Sequence, residues 1–86
     1  MIVLFLRKSL FLKQGLAERQ KAVKLDPDNA VYHNMLGVTL SFMKRYDEAL
    51  AELQKAVELG PDNASFHYIL GATLAFMKRY EETWTE

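Results

Sequence analysis

No cysteine occurs among the 86 residues, which excludes a disulfide framework and a thiolate metal site and leaves the redox compartment unread. Two prolines and four glycines are too few for a loop-rich or disordered chain. Net charge is missing as well. Eleven Lys and Arg side chains balance eleven Asp and Glu, which removes the electrostatic footprint of a nucleic-acid binder and any general attraction to an anionic membrane. The one concentrated apolar run, Met1 to Leu6, stops at Arg7-Lys8 and lacks the preceding basic region of a signal peptide. It is also far shorter than the roughly 20 apolar residues that cross a bilayer. A soluble, cytoplasmic protein is the expectation. Half of the residues are hydrophobic, so one domain over residues 1–86 should fold, although so short a chain buries a modest fraction of its surface unless it packs well or associates.

What the chain does have is a repeat. Pro27-Asp28-Asn29-Ala30 leads into His33, Leu36-Gly37, Thr39-Leu40, and the same signals return 34 residues later from Pro61. Phe42-Met43-Lys44-Arg45-Tyr46 likewise returns as Phe76-Met77-Lys78-Arg79-Tyr80, and the segment Leu16–Leu25 has its copy at Leu50–Leu59. A fixed period of this length means an array of supersecondary units, each too small to bury its own apolar face.

Periodicity places helices on this array. Ala30 to Met43 is apolar on more than one face and must be covered on two sides. In contrast, Tyr46, Ala49, Leu50, Leu53, Ala56 and Val57 follow the i, i+3, i+4, i+7 rule with charges opposite, the mark of an outer helix with one dry side. Lys44-Arg45 between them is too short for anything but an antiparallel hairpin. Asp28-Asn29 and Asp62-Asn63 offer side-chain oxygens to cap the helix that follows each, and Gly60 offers a helix stop. The inner helix returns at Ala64 to Met77, and a second outer helix is expected to begin at Tyr80 and to run for a turn and a half. Upstream, Lys13-Gln14-Gly15 leaves two readings open: a shortened hairpin, or one long helix from Ile2 to Leu25, the latter preferred. The fold class is all-α, with no strand.

The residues resemble the tetratricopeptide repeat family, whose signature runs W-x2-L-G-x2-Y, A-x3-F, P. Leu36-Gly37-x-x-Leu40, Ala49-x-x-x-Leu53 and Pro61 stand in that order and spacing, with Tyr46 and Ala56 as further matches. One full repeat flanked by two partial ones covers about residues 16–80. Three positions depart: His33 and His67 replace tryptophan, Leu40 and Leu74 replace tyrosine, and Arg19 occupies a large apolar position. The resemblance implies stacked antiparallel helical hairpins and a concave groove for a protein or peptide. Carried over by position, the partner-binding residues are Val31, Asn34, Met35, Val38 and Phe42 on the first inner helix, and Tyr68, Ile69, Ala72 and Phe76 on the second; Ser41, Ser65 and Ala75 share those faces. The groove is largely apolar, and no lysine or arginine falls within either inner helix to grip a carboxylate.

The side chains that carry chemistry have plainer roles. His33 and His67 each lack a metal ligand three or four residues away, and they read as packed, hydrogen-bonded histidines at the helix seam. No serine has a histidine with an acidic partner nearby, Glu81-Glu82 point apart on a helix, and no phosphate loop occurs, so neither enzyme, cofactor nor metal is expected. The basic and aromatic mix at Phe42 to Tyr46 reads as a helix end followed by a core tyrosine, with no nucleic acid as partner.

The array also begins and ends inside a repeat. The face of Leu70, Leu74 and Met77 lacks most of an outer partner, and Ile2 and Leu6 lie in an apolar stretch that could supply one from another chain. A homo-oligomer is therefore expected, with Trp84 in the same contact, either as a domain-swapped dimer or as an open row. A self-assembling structural element is the alternative to the peptide-binding scaffold. A peripheral membrane adaptor anchored by residues 1–12 is a third reading, which the short segment disfavours.

Overall fold

The computed structural model describes residues 2–85, with the side-chain surroundings of residues 2, 5 and 80–85 outside that description. Four helices follow one another: α1 (Ile2–Leu25), α2 (Ala30–Phe42), α3 (Tyr46–Leu59) and α4 (Ala64–Thr85), with no strand among the described residues. α2 is packed between α1 and α3, α3 also carries α4, and α2 touches α4 across the inner face. The molecule is 17 Å across its thinnest dimension, about two helices thick. This is the expected stack of antiparallel hairpins.

The best-formed unit is the hairpin of α2 and α3. Asn29 caps α2 by accepting a hydrogen bond from the Tyr32 amide at 3.1 Å. At the other end Lys44 takes a left-handed φ of 60°, a conformation that costs an L-residue roughly 1–2 kcal/mol. The turn is held by amides of Met43, Lys44 and Arg45 donating to carbonyls of Leu40 and Ser41, so the orphan acceptors at the end of α2 are used. Arg45 then donates to both carboxylate oxygens of Glu48, at 3.0 and 2.7 Å, and this pairing raises its pKa above the ordinary arginine value.

The hairpin closes because its helices come very close. A Cβ added to Gly37 would fall 2.6 Å from Cγ and Cδ2 of Leu53 and 3.2 Å from the Ala49 carbonyl oxygen, so only glycine allows this approach. Leu53, Ala49 and Ala56 are fully buried in consequence. Leu16 of α1 joins Leu36, Leu40 and Ala49 in the core, with Val23 and Met43 packed against it. At Arg19, where a large apolar residue was expected, the guanidinium reaches across to α2 and donates to the Thr39 hydroxyl and, at 3.3 Å, to the Met35 carbonyl. The apolar stem still packs while the head finds acceptors.

Two helix boundaries depart from a regular repeat. Of the two upstream readings the structure has the long helix: α1 runs through Gly15 without a break. The second outer helix, by contrast, does not begin at Tyr80. α4 continues straight through Lys78-Arg79 to Thr85, so the bend seen at Lys44 is not repeated. The cause lies in the residues beyond each tyrosine. After Tyr46, Ala49, Leu53 and Ala56 dock onto α2 and offset the strained Lys44. After Tyr80, Thr83 stands where the fully buried Ala49 does, a β-branched residue in place of the small one that admits the close approach. There the helix propagates instead. Gly60 does stop α3, but at φ −134°, with its amide donating to Ala56; the Phe66 ring lies 3.0 Å from where its Cβ would be.

Candidate functional site

The inner face of the stack contains a cavity of about 470 Å³ where the C-terminal half of α2 meets the first three turns of α4. Its lining is Val38, Ser41 and Phe42 from α2, Lys44 and Tyr46 from the turn and the start of α3, and Tyr68, Ile69, Ala72, Thr73 and Phe76 from α4. Helical spacing explains why these residues converge. Val38 and Phe42 are four apart on α2, while Tyr68, Ile69, Ala72 and Phe76 repeat at three and four on α4, so each set forms one stripe. Phe66, buried near Gly60, anchors the first turn of α4 on α3 and so fixes the distance between the stripes. The aromatic rings are presented to solvent: Phe42 and Tyr68 are each 76% exposed and Phe76 61%.

Six of the nine carried-over groove residues line this cavity: Val38, Phe42, Tyr68, Ile69, Ala72 and Phe76. Val31, Asn34 and Met35 do not. They lie on the same stripe of α2 but one to two turns nearer its N-terminus, with Val31 and Met35 exposed. Asn34 has a feature of its own. Its Oδ1 is buried and has no hydrogen-bond partner. Buried acceptors are rarely left so, since an unmade bond costs about 1–3 kcal/mol.

Lys44, Tyr46 and Thr73 line the cavity without having been placed in it from the sequence. The signal was there for Lys44 and Tyr46: a two-residue link returns the chain beside the end of α2, so whatever starts α3 must share the space around Phe42. Thr73 is buried and belongs to the α4 stripe at i+4 from Ile69.

His33 behaves as expected at the seam. It is buried, its Nε2–H donates to the Pro27 carbonyl at 2.6 Å, and its Nδ1 stands 2.9 Å from Glu52 Oε1. His67 repeats only the first bond, to the Pro61 carbonyl at 2.7 Å, and is exposed rather than packed, because no outer helix among the described residues covers it. No cluster of three or more metal-ligating side chains exists among the described residues.

The self-association set is divided. Leu6 is exposed, Leu74 is 46% exposed, and Leu70 and Met77 are half-buried, while the side chains of Ile2 and Trp84 lie outside the described residues. Around them, Val3, Leu4, Leu10, Phe11 and Leu12 are also exposed. Arg7 falls between Val3 and Leu4 on one side and Leu10 and Phe11 on the other, with its guanidinium 5.9 Å from the centre of the Phe11 ring. A membrane-surface anchor requires its cations on the opposite face from its apolar residues, and this stretch does not separate them. No helix among the described residues is long and apolar enough to cross a membrane.

Comparison with protein-family models agrees with this geometry. One model, described as TPR repeat, matches residues 43–76, and another, described as tetratricopeptide repeat, matches residues 20–51. The chain belongs to the tetratricopeptide repeat family. Repeats of this family mediate protein–protein interaction and are not catalytic. No curated protein matches the chain.

Proposed function

We propose that this tetratricopeptide repeat protein is a non-catalytic, cytoplasmic scaffold, with residues 1–86 acting as one domain, and that the cavity between α2 and α4 takes an apolar or aromatic segment of a partner peptide or helix. The observation that carries the proposal is the apolar cavity itself, walled by Phe42, Tyr68 and Phe76 on two helices held at fixed separation. Rigid aromatic surface exposed around a concavity offers large burial at small entropic cost, as interface anchors do. Asn34, one turn before Val38 on the same stripe, would extend the contact with an amide side chain. The groove residues Val31 and Met35 would extend the contact toward the N-terminal end of α2.

Selection of peptides from a random library on the wild-type chain, followed by titration calorimetry, tests the reading. Tyr68→Ala removes one wall of the cavity from an exposed position, so folding should be unaltered while affinity for the selected peptides falls at least about tenfold, the loss of a typical aromatic anchor. Unchanged affinity would remove the cavity from consideration.

A second reading, self-assembly of the chain, is favoured by a separate observation. Leu74 on α4 is 46% exposed at the position where Leu40 on α2 is 2% exposed. A face built to be buried is left open, and another copy of the chain is the proposed cover.

A further inference from the structure

We infer that a second copy of this chain covers α4 by laying its α1 antiparallel along it, in the register that α3 takes on α2. The inference rests on the self-assembly reading and not on peptide binding, because it uses the face of Leu70, Gly71 and Leu74, whereas the cavity is lined by other residues of α4.

The chain carries its own template for this contact. Within the α2–α3 pair, His33 meets Glu52, and Gly37 lies against Leu53 and the Ala49 carbonyl. One repeat later on the inner side these positions are His67 and Gly71; one repeat earlier on the outer side they are Glu18, Arg19 and Gly15. Apart from Arg19, which is half-buried with its head on α2, both sets are uncovered. His67 and Glu18 are exposed, and a Cβ added to Gly71 or to Gly15 would meet nothing within 4 Å. Joining α4 of one chain to α1 of the next in the template register restores the histidine–carboxylate pair. It also sets Gly15 and the stem of Arg19 against Gly71, where Ala49 and Leu53 lie against Gly37.

Length supports the same pairing. α1 has 24 residues and α4 has 22, about 36 Å and about 33 Å of helix. Both are straight where a hairpin bend was possible, so an antiparallel pair matches along its whole length. Since α1 of each chain meets α4 of the next, the contact is heterologous. It builds open rows, each with one free α1 face at one end and one free α4 face at the other.

Sedimentation velocity and light scattering from 1 to 500 µM (on the order of common working ranges for micromolar association) should show the mass rising from 9.9 kDa past that of a dimer. Gly71→Leu fills the open side of α4, and Gly15→Leu the open side of α1. Each variant should keep wild-type helicity and melt no lower than the wild type at low concentration, yet stay monomeric across the range. Glu18→Lys, an exposed change, is the second variant on the α1 side and should weaken association about fivefold. An equimolar mixture of Gly71→Leu and Gly15→Leu retains one intact contact and should give heterodimers and nothing larger. A wild-type chain that stays monomeric would overturn the inference. So would association that survives both glycine variants, or a mixture that forms no heterodimer. Because Tyr68→Ala leaves the α4–α1 face intact, failure of this assembly and failure of peptide binding are read separately.

Discussion

α2 and α4 carry nearly the same inner-helix sequence and meet opposite fates. On α2, Leu36, Leu40 and His33 are buried between α1 and α3, Gly37 admits Leu53, and the helix ends in a bend at Lys44. On α4, Leu74 and His67 are exposed, Gly71 faces open space, and the helix runs straight past Lys78. Local sequence is common to both, so it accounts for what they share: the asparagine cap, the helix, and the stripe of groove residues. The difference comes from the neighbour. Burial, the second histidine contact and the strained turn all depend on an outer helix with small residues at the right spacing, and among the described residues only α3 provides one.

The comparison is broken most directly at the paired leucines. Leu40→Ala empties a site that is 2% exposed and should cost about 3 kcal/mol, enough to unfold much of so small a protein. Leu74→Ala removes a side chain that is 46% exposed and leaves no enclosed cavity, so about 1 kcal/mol is expected. Urea denaturation at low micromolar concentration, where association contributes least, measures both. Equal costs would mean that α4 is already covered in solution.

The paired glycines should differ in sign. Gly37→Ala gains the helix propensity of alanine, about 1 kcal/mol, but forces Leu53 and the Ala49 backbone away from a Cβ at 2.6 and 3.2 Å, an overpacking cost of about 1–3 kcal/mol. The net effect should be a loss of about 1 kcal/mol. Gly71→Ala has the same local gain with nothing in the way, so it should stabilise by about 0.5–1 kcal/mol. Thermal melts of the two variants against wild type, read by circular dichroism, should shift in opposite directions. A stabilising Gly37→Ala would show that the close approach is not what holds the hairpin.

These contrasts also mark how far the sequence could be read. The family, the order of the first four helices and six residues of the cavity lining were legible because each is set by local spacing, as with Tyr68 and Phe76 on one stripe. The straight run of α4 was not legible from the repeated Phe-Met-Lys-Arg-Tyr, which is identical in both copies. Whether that segment bends is decided by tertiary burial of residues beyond it, which overrides local preference. Arg19 illustrates the same limit. Its type marks it as a misfit in an apolar seam, and only the position of the Thr39 hydroxyl and Met35 carbonyl on the facing helix shows how the seam accepts it. Lys44 and Tyr46 entered the cavity lining because a turn, not a helical stripe, carries them there.

The smallest effects should fall where the two copies agree. Asn29 Oδ1 accepts from the Tyr32 amide at 3.1 Å, and Asn63 Oδ1 accepts from the Phe66 amide at 3.2 Å. Each cap satisfies one orphan donor through atoms within three residues, so no outer helix is involved. Replacing either by alanine should cost about 1 kcal/mol. The two costs should be equal in equilibrium unfolding if α4 melts together with the rest of the chain. Amide exchange tests the step beneath that equality. Loss of the cap should speed exchange at Tyr32 in one variant and at Phe66 in the other by similar factors. A smaller global cost for Asn63→Ala, with the same local acceleration at Phe66, would mean that α4 opens before the α2–α3 hairpin does. The difference between covered and uncovered inner helices would then extend from packing to cooperativity, because a helix held on one side can leave without taking its neighbour along.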